Sequence, residues 1–247
     1  MGDPNYIIED DMREQLIEYR DGEALLEGFF CYDESMPGPR PAVLINHAWS
    51  GRDEFVERKA RRLAWQGYAC FVLDNFGKGK RGTTPEECAA LINPFMTDRR
   101  KLLQRLQAGL SMVKTLPIVD ARRIATMGFC FGGLCALDLA RADADIRGAV
   151  SIHGLLKPSG FTEPKVRAKI LMLHGYDDPL APHADVLAVA SEFTAAGADW
   201  QLHAYGQTMH AFTNPQAQNR AGGMQYDEAA DRRSWHALEE FLAEVLK

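Results

Sequence analysis

Met127-Gly-Phe-Cys-Phe-Gly-Gly133 is the stretch at which a β-strand is expected to turn sharply into an α-helix. The apolar run 123–127 before it is typical of a strand, and the residues 134–140 after it are good helix formers. Glycines two residues before and two residues after Cys130 let the strand and the helix approach closely. The pattern therefore predicts a nucleophile elbow with Cys130 at its apex, where the N-terminus of the helix favours a thiolate over a thiol.

The alternative interpretation of Cys130 is a buried core residue, because free cysteine behaves as a small hydrophobe. The other four cysteines fit that interpretation, since they lie in apolar runs or in predicted helices. Only Cys130 is flanked by glycines on both sides, so we expect it to be a nucleophile if an acid and a base follow it along the chain. The cysteines that fit the core interpretation are Cys31, Cys70, Cys88 and Cys135.

Strand-like runs alternate with helical patterns on both sides of this stretch, which predicts an α/β fold with a mostly parallel central sheet and helices on both faces. Asp21-Gly22 is a strong turn signal and predicts an opening hairpin. We predict strands near 15–20, 24–32, 42–46, 68–73, 124–127, 148–152, 169–173 and 199–205, and helices near 55–66, 97–115, 182–197 and 228–247. No linker divides the chain, so residues 1–247 are expected to form one domain, with 1–14 as an extended N-terminal arm.

Composition excludes several classes of function. The 247 residues carry a formal net charge of −6 and show no basic stripe, which argues against nucleic acid as a partner. No apolar segment is long enough to span a bilayer, so no membrane contact is expected. Five scattered cysteines are typical of reduced thiols and predict a cytoplasmic protein. We expect a small molecule as the partner, and the sequence does not decide between a monomer and a homodimer.

A thiol nucleophile needs a base, and the base needs an acid to orient it. His210 lies in the loop after the last predicted strand, at the same edge of the sheet as the elbow. The pair Asp177-Asp178 follows the strand 169–173, although such a pair can also serve only to cap a helix. Nucleophile, acid and base then occur in the chain order that is typical of α/β-hydrolases.

The other histidines and the acidic residues do not form a metal-binding pattern. His47 and His153 end predicted strands, so they can line the site, whereas His174 is expected to shape the loop that contains the aspartates. No His-Glu-x-x-His, Cys-x-x-Cys or His-x-His spacing occurs. We therefore expect no metal and no cofactor.

The chain resembles the dienelactone hydrolase family of α/β-hydrolases from Leu25 to the C-terminal helix. The matching motifs lie at 74–79, 128–133, 174–182 and 209–212. The resemblance implies an α/β-hydrolase fold and a hydrolase of carboxylic esters or lactones. It also implies that Cys130 is the nucleophile, Asp178 the acid and His210 the base of a catalytic triad.

The expected mechanism is acyl transfer to water through a thioester on the cysteine. In an elbow of this kind the oxyanion is held by two backbone N–H groups, those of Phe131 and Ala48. Aromatic and polar side chains at the same edge of the sheet are candidates for the substrate pocket. These pocket candidates are His47, Trp49, Tyr176 and Phe212.

Two features depart from the family pattern. Prototype members hold the resting cysteine with a glutamate, and the matching position here is His47. They also bind the carboxylate of the substrate with an arginine shortly after the catalytic histidine, and 211–214 contain none; Arg99 and Arg100 are the alternative candidates for this cation. The resemblance therefore does not extend to dienelactone itself as the substrate.

Two other functions stay open at this point. One is a thioesterase or a peptidase-like hydrolase that uses the same residues. The other is a non-catalytic ligand-binding or redox-responsive protein, in which Cys130 is oxidised to a sulfenic acid.

Overall fold

The N-terminal hairpin forms around the turn that Asp21-Gly22 predicts. The structure, a computed structural model, describes residues 11–247. β1 (Met12–Asp21) and β2 (Ala24–Asp33) pair antiparallel over their whole length. Gly22 has a φ of 56°, a left-handed conformation that glycine adopts without steric cost. The predicted N-terminal arm is wrong for 12–14, because β2 is long enough to pair with these residues; residues 1–10 lie outside the described part.

The central sheet has eight strands in the order β1-β2-β4-β3-β5-β6-β7-β8. The hairpin joins it by antiparallel pairing of β2 with β4, and the other six strands are parallel, as predicted. Their carboxyl ends meet at one edge, where ligands bind in open α/β sheets. The parallel strands are β3 (Arg40–Asn46), β4 (Ala69–Val72), β5 (Val119–Phe129), β6 (Gly148–Ile152), β7 (Lys169–Gly175) and β8 (Trp200–Tyr205).

Helices cover both faces of the sheet. The inner parallel strands are buried on both faces, which explains why they read as continuous apolar runs, whereas the edge strand β8 is half-buried to exposed. In β3, for example, Leu44 packs on one face and Ile45 on the other. The helices are α1 (Glu54–Ala64), α2 (Pro85–Thr97), α3 (Arg99–Lys114), α4 (Phe131–Arg141), α5 (His183–Ala195) and α6 (Glu228–Val245). α1 and α6 pack on one face, and α2 to α5 pack on the other. The α/β-hydrolase architecture that the resemblance implies is therefore confirmed.

A small second sheet was not expected from the sequence. It consists of β9 (Gln218–Asn219) and β10 (Met224–Gln225), which pair antiparallel between β8 and α6. Met224 also forms a parallel bridge with His210, so this short sheet contacts the candidate site directly. Within residues 11–247, no helix combines the length and the apolar character that a membrane crossing requires.

Candidate active site

Cys130 lies between β5 and α4 in a strained backbone conformation. Its φ is 55° and its ψ is −118°, and a non-glycine residue in such a region costs about 1–3 kcal/mol. The backbone holds the turn: the Cys130 N–H donates to the Ile152 carbonyl at 3.1 Å, and the Cys130 carbonyl accepts from the Gly133 N–H at 3.0 Å. Cys130 is half-buried, whereas the other four cysteines are buried, as their core interpretation predicts.

The two glycines that flank the cysteine are required by close packing. A Cβ atom on Gly128 would lie 2.1 Å from the Gly132 carbonyl oxygen. A Cβ atom on Gly132 would lie 2.2 Å from the Asn46 carbonyl oxygen. The strand, the helix and the loop after β3 therefore meet at this point with no room for a side chain.

His210 and Asp178 are joined by a buried hydrogen bond. The Nδ1–H of His210 donates to Oδ2 of Asp178 at 2.7 Å, and both side chains are almost fully buried. The other carboxylate oxygen of Asp178 accepts from the backbone N–H groups of Leu180 at 2.8 Å and Ala181 at 3.3 Å. Asp178 therefore caps its own loop and orients His210 at once. The neighbouring Asp177 is exposed and makes no contact with His210 in the described chain.

The environment of His210 favours its protonated form. Burial opposes the charge and acts to lower the pKa of His210, but the charge of Cys130 and the hydrogen bond to Asp178 outweigh it and raise this pKa to about 10. The loop of His210 is fixed by the second sheet, since its N–H donates to the Gly223 carbonyl at 2.9 Å. An imidazolium next to a cysteine stabilises the thiolate, which is the reactive form.

His153 lies behind His210 and supports its ring. The two rings meet edge to face with their centroids 5.2 Å apart, and His153 Nε2 is 2.9 Å from the Thr213 hydroxyl. Burial and the charge of His210 lower the pKa of His153 well below 6.5. His153 is therefore a neutral neighbour of His210 and does not face an open pocket.

Two free backbone N–H groups lie beside the elbow. The Phe131 N–H is the first of α4 and has no acceptor within the helix. Neither this group nor the Ala48 N–H finds an acceptor within residues 11–247. The loop that contains Ala48 rests on the start of α4, because a Cβ atom on Gly132 would lie 2.7 Å from the His47 carbonyl oxygen.

The four predicted pocket residues occupy different environments. Trp49 is half-buried, and Tyr176 is 49% exposed with its ring stacked on His183. Phe212 and His47 are both 0% exposed. A side chain without accessible surface cannot line an open pocket, so the pocket assignment of these two residues is corrected. Phe212 packs in the core against Tyr205 and His153.

The expected cation is not supplied by Arg99 or Arg100. Arg99 is buried and forms a two-bond ion pair with Asp138 of α4, at 2.8 Å and 2.6 Å. Arg100 is exposed and lies over the Phe161 ring. Both are therefore engaged elsewhere.

Sequence reasoning missed a cavity of about 830 Å³ at the carboxyl edge of the sheet. Its inner wall is Phe76, whose ring stacks on Phe131 with 5.9 Å between centroids. Lys80 and Lys101 also line it together with Glu23, and neither lysine has an acidic partner within 4 Å in the described part of the chain. The Gly-Lys-Gly-Lys sequence at 77–80 was the signal that could have indicated a basic cavity.

Comparison with known proteins identifies the family. The model of the dienelactone hydrolase family matches residues 26–246. The chain belongs to the dienelactone hydrolase family. It is therefore an enzyme that hydrolyses carboxylic ester or lactone bonds, and the resemblance found in the sequence is confirmed. Within residues 11–247, no group of three His, Cys, Asp or Glu side chains is arranged to hold a metal ion.

Several known proteins are similar to this chain over most of their own length. A dienelactone hydrolase-like promiscuous phosphotriesterase from metagenomic libraries is 33% identical with a TM-score of 0.90, covering 96% of this chain and 100% of that one. An uncharacterized protein of Caenorhabditis elegans is 40% identical over 149 residues, 59% of this chain and 94% of that protein. A protein of Aquifex aeolicus, provisionally named a carboxymethylenebutenolidase, is 22% identical over 94% of this chain and 99% of its own.

Proposed function

We propose that this hydrolase cleaves its substrate through a thioester on Cys130, with His210 as the base and Asp178 as the orienting acid. The observation that carries the proposal is the buried 2.7 Å hydrogen bond from His210 Nδ1 to Asp178 beside the half-buried Cys130. Because His210 binds Asp178 through Nδ1, its Nε2 atom is left to exchange a proton with the thiol.

The reaction takes place in two stages. His210 takes the thiol proton, and the thiolate of Cys130 attacks the carbonyl carbon of the ester or lactone. The carbonyl oxygen becomes an oxyanion, which the free N–H groups of Phe131 and Ala48 bind. Each such donor contributes a factor of about 10²–10³ to kcat. The C–O bond then breaks, the departing alkoxide takes the proton from His210, and a thioester remains. Water gives a proton to His210 and attacks the thioester, which releases the acid and returns the proton to the sulfur.

The basic cavity suggests which end of the substrate is charged. Lys80 and Lys101 line it without acidic partners, and the aromatic wall at Phe76 leads to Phe131 beside the elbow. The name of the Aquifex relative denotes a lactone that carries a carboxylate. We propose that an anionic group of the substrate binds these two lysines, since 211–214 offer no arginine.

The test of this function is a panel of esters, lactones and thioesters with wild-type protein and two cysteine variants. We expect kcat/KM for p-nitrophenyl acetate to fall by a factor of at least about 10³ in Cys130→Ala, because the nucleophile is lost. Cys88→Ala, which removes a buried cysteine outside the elbow, is the matched control and should retain activity. Mass spectrometry after rapid quenching should find the acyl group on Cys130. Full turnover by Cys130→Ala would refute the nucleophile.

A charge-reversed pair of lysine variants tests the substrate end. Lys80→Glu and Lys101→Glu should raise KM for esters that carry a carboxylate and leave KM for neutral esters unchanged, because only the former lose an ion pair. An equal change for both kinds of ester would contradict the assignment of the cavity.

Cleavage of phosphotriesters is a second candidate activity. It is favoured by the metagenomic relative of that name, which aligns with 96% of this chain at 33% identity. A neutral organophosphate triester in the same panel tests it. Turnover that is lost in Cys130→Ala would place both activities at one site, and no turnover would reject the second.

A further inference from the structure

The hydrogen bonds of His47 fix which of its nitrogens carries the proton. The Nδ1 atom of His47 is 2.6 Å from the Ala48 carbonyl oxygen, and its Nε2 atom is 3.2 Å from the Asn75 backbone nitrogen. A carbonyl can only accept and a backbone N–H can only donate. His47 must therefore be neutral, with its proton on Nδ1 and a free lone pair on Nε2. Burial lowers the pKa of His47 from 6.5, which agrees with a neutral ring.

This ring joins two loops at the carboxyl edge of the sheet. One is the loop after β3, which contains Ala48, and the other is the loop after β4, which contains Asn75. The second loop is anchored independently, because the Asn75 carbonyl accepts from the Arg105 guanidinium at 3.0 Å and the same guanidinium binds Asp21 at 2.8 Å. The ring of His47 also packs edge to face on Phe76, with 4.6 Å between centroids. His47 thus ties the loop of Ala48 to a rigid part of the molecule.

The peptide groups on both sides of Ala48 are held by these contacts. The Ala48 carbonyl accepts from His47 Nδ1 and from the Gly51 N–H at 3.3 Å. On the other side, the His47 carbonyl lies against the backbone of Gly132. The peptide that contains the free Ala48 N–H therefore lies between the contact with Gly132 and the next peptide, which the ring of His47 holds, although this ring makes no hydrogen bond to Cys130 or His210 in the described chain.

We propose that His47 is a positioning residue, which aims the Ala48 N–H at the oxyanion. The inference rests on the proposed function, because it assigns the Ala48 N–H to the oxyanion hole. An oxyanion donor acts on the transition state and hardly on the bound substrate, so its loss lowers kcat and leaves KM nearly unchanged. Alkylation of Cys130 by iodoacetamide forms no oxyanion, so its rate does not depend on His47.

Two substitutions separate the two hydrogen bonds. In His47→Asn the side-chain amide can still donate to the Ala48 carbonyl, but it cannot reach Asn75. In His47→Gln the longer side chain can accept from the Asn75 N–H, but it no longer donates to Ala48. His203→Gln, a half-buried histidine on β8, is the matched control.

We expect His47→Gln to lower kcat for p-nitrophenyl acetate by about ten- to a hundredfold, part of the 10²–10³ that one oxyanion donor contributes. KM and the iodoacetamide rate should stay within about threefold of wild type. His47→Asn should recover most of the lost kcat. In wild-type protein labelled with ¹⁵N-histidine, the NMR spectrum at pH 7.5 should show His47 protonated on Nδ1. The last measurement needs no variant and no activity.

The outcomes distinguish this inference from the proposed function. An unchanged kcat in His47→Gln, an equal loss of the iodoacetamide rate, or a proton on Nε2 of His47 would overturn the positioning role alone. Full activity in Cys130→Ala would overturn the proposed function, and with it the role of His47.

Discussion

Replacing Asp178 by asparagine tests the link between the acid, the base and the sulfur. Asparagine keeps the size of the side chain, and its oxygen can still accept from the backbone N–H groups of Leu180 and Ala181. Its amide nitrogen then faces Nδ1 of His210 and donates to it. His210 is therefore driven to the tautomer with its proton on Nε2, which cannot take the proton of the thiol.

The expected loss follows from the contacts of Asp178. A hydrogen bond to a charged group contributes about 1.5–3 kcal/mol, which is roughly ten- to a hundredfold in the population of the imidazolium. In serine hydrolases the wrong tautomer costs about 10⁴ in kcat. Because a thiol ionises more readily than a hydroxyl, we expect kcat/KM of Asp178→Asn to fall by about 10²–10⁴.

The assay compares ester turnover with alkylation of Cys130 by iodoacetamide between pH 5 and pH 10. In wild-type protein the pKa of His210 is raised to about 10, so the imidazolium persists up to that pH and is lost above it. Removing the charge of Asp178 removes one cause of this raised pKa, so in Asp178→Asn the imidazolium is lost at lower pH. The rate of alkylation at pH 7 should fall by about tenfold or more.

Asp177→Asn is the matched control, because Asp177 is exposed and lies next to Asp178 in the chain. The reasoning is refuted if Asp178→Asn keeps kcat/KM within threefold of wild type. It is equally refuted if Asp177→Asn produces the larger loss.

Three further changes probe the frame of the site. Gly128→Ala places a Cβ atom 2.1 Å from the Gly132 carbonyl, so soluble protein or ester activity should be lost, whereas Gly206→Ala, which meets nothing within 4 Å, should retain both. Asp138→Asn leaves the buried Arg99 without a counter-charge, whereas Arg141 keeps its ion pair with Glu192, and urea unfolding should show a loss of about 3–5 kcal/mol. The pKa of His153 is lowered in the folded protein, so the unfolded chain binds a proton at a higher pH than the folded chain does. The free energy of unfolding therefore falls as the pH drops below 6.5. In urea unfolding at pH 7.5 and 5.5, His153→Asn should reduce this loss by about 1 kcal/mol; an equal loss in both proteins would contradict it.

The sequence predicts the centre of the sheet well because strands β3, β4, β6 and β7 are buried on both faces. Continuous apolar runs in the sequence indicate these strands. The dipeptide Asp21-Gly22 indicates the hairpin, because glycine readily adopts the left-handed conformation that its turn requires. β9 and β10 escaped prediction because two residues are too few to show a period. Their register is set by contact with the loop of His210, which is a tertiary effect.

The candidate site shows a similar division. Chain order and strand ends indicate Cys130 and His210, and the family resemblance chooses Asp178 over Asp177. The sequence could not show that His47 points inward, because the direction of a side chain after a strand depends on the loop. Nor could it show that Arg99 is neutralised, because its partner Asp138 is 39 positions away along the chain.

The elbow is held by peptide groups alone, since the side chain of Cys130 makes no capping hydrogen bond. The main-chain conformation therefore does not depend on the side-chain atom at residue 130, and Cys130→Ser should fold with an unchanged main chain. Such a variant exchanges sulfur for oxygen while every surrounding dipole stays in place. The protein thus offers a comparison of two attacking atoms on one main-chain frame, in which a difference in rate comes from the atom itself and from its effect on the pKa of His210.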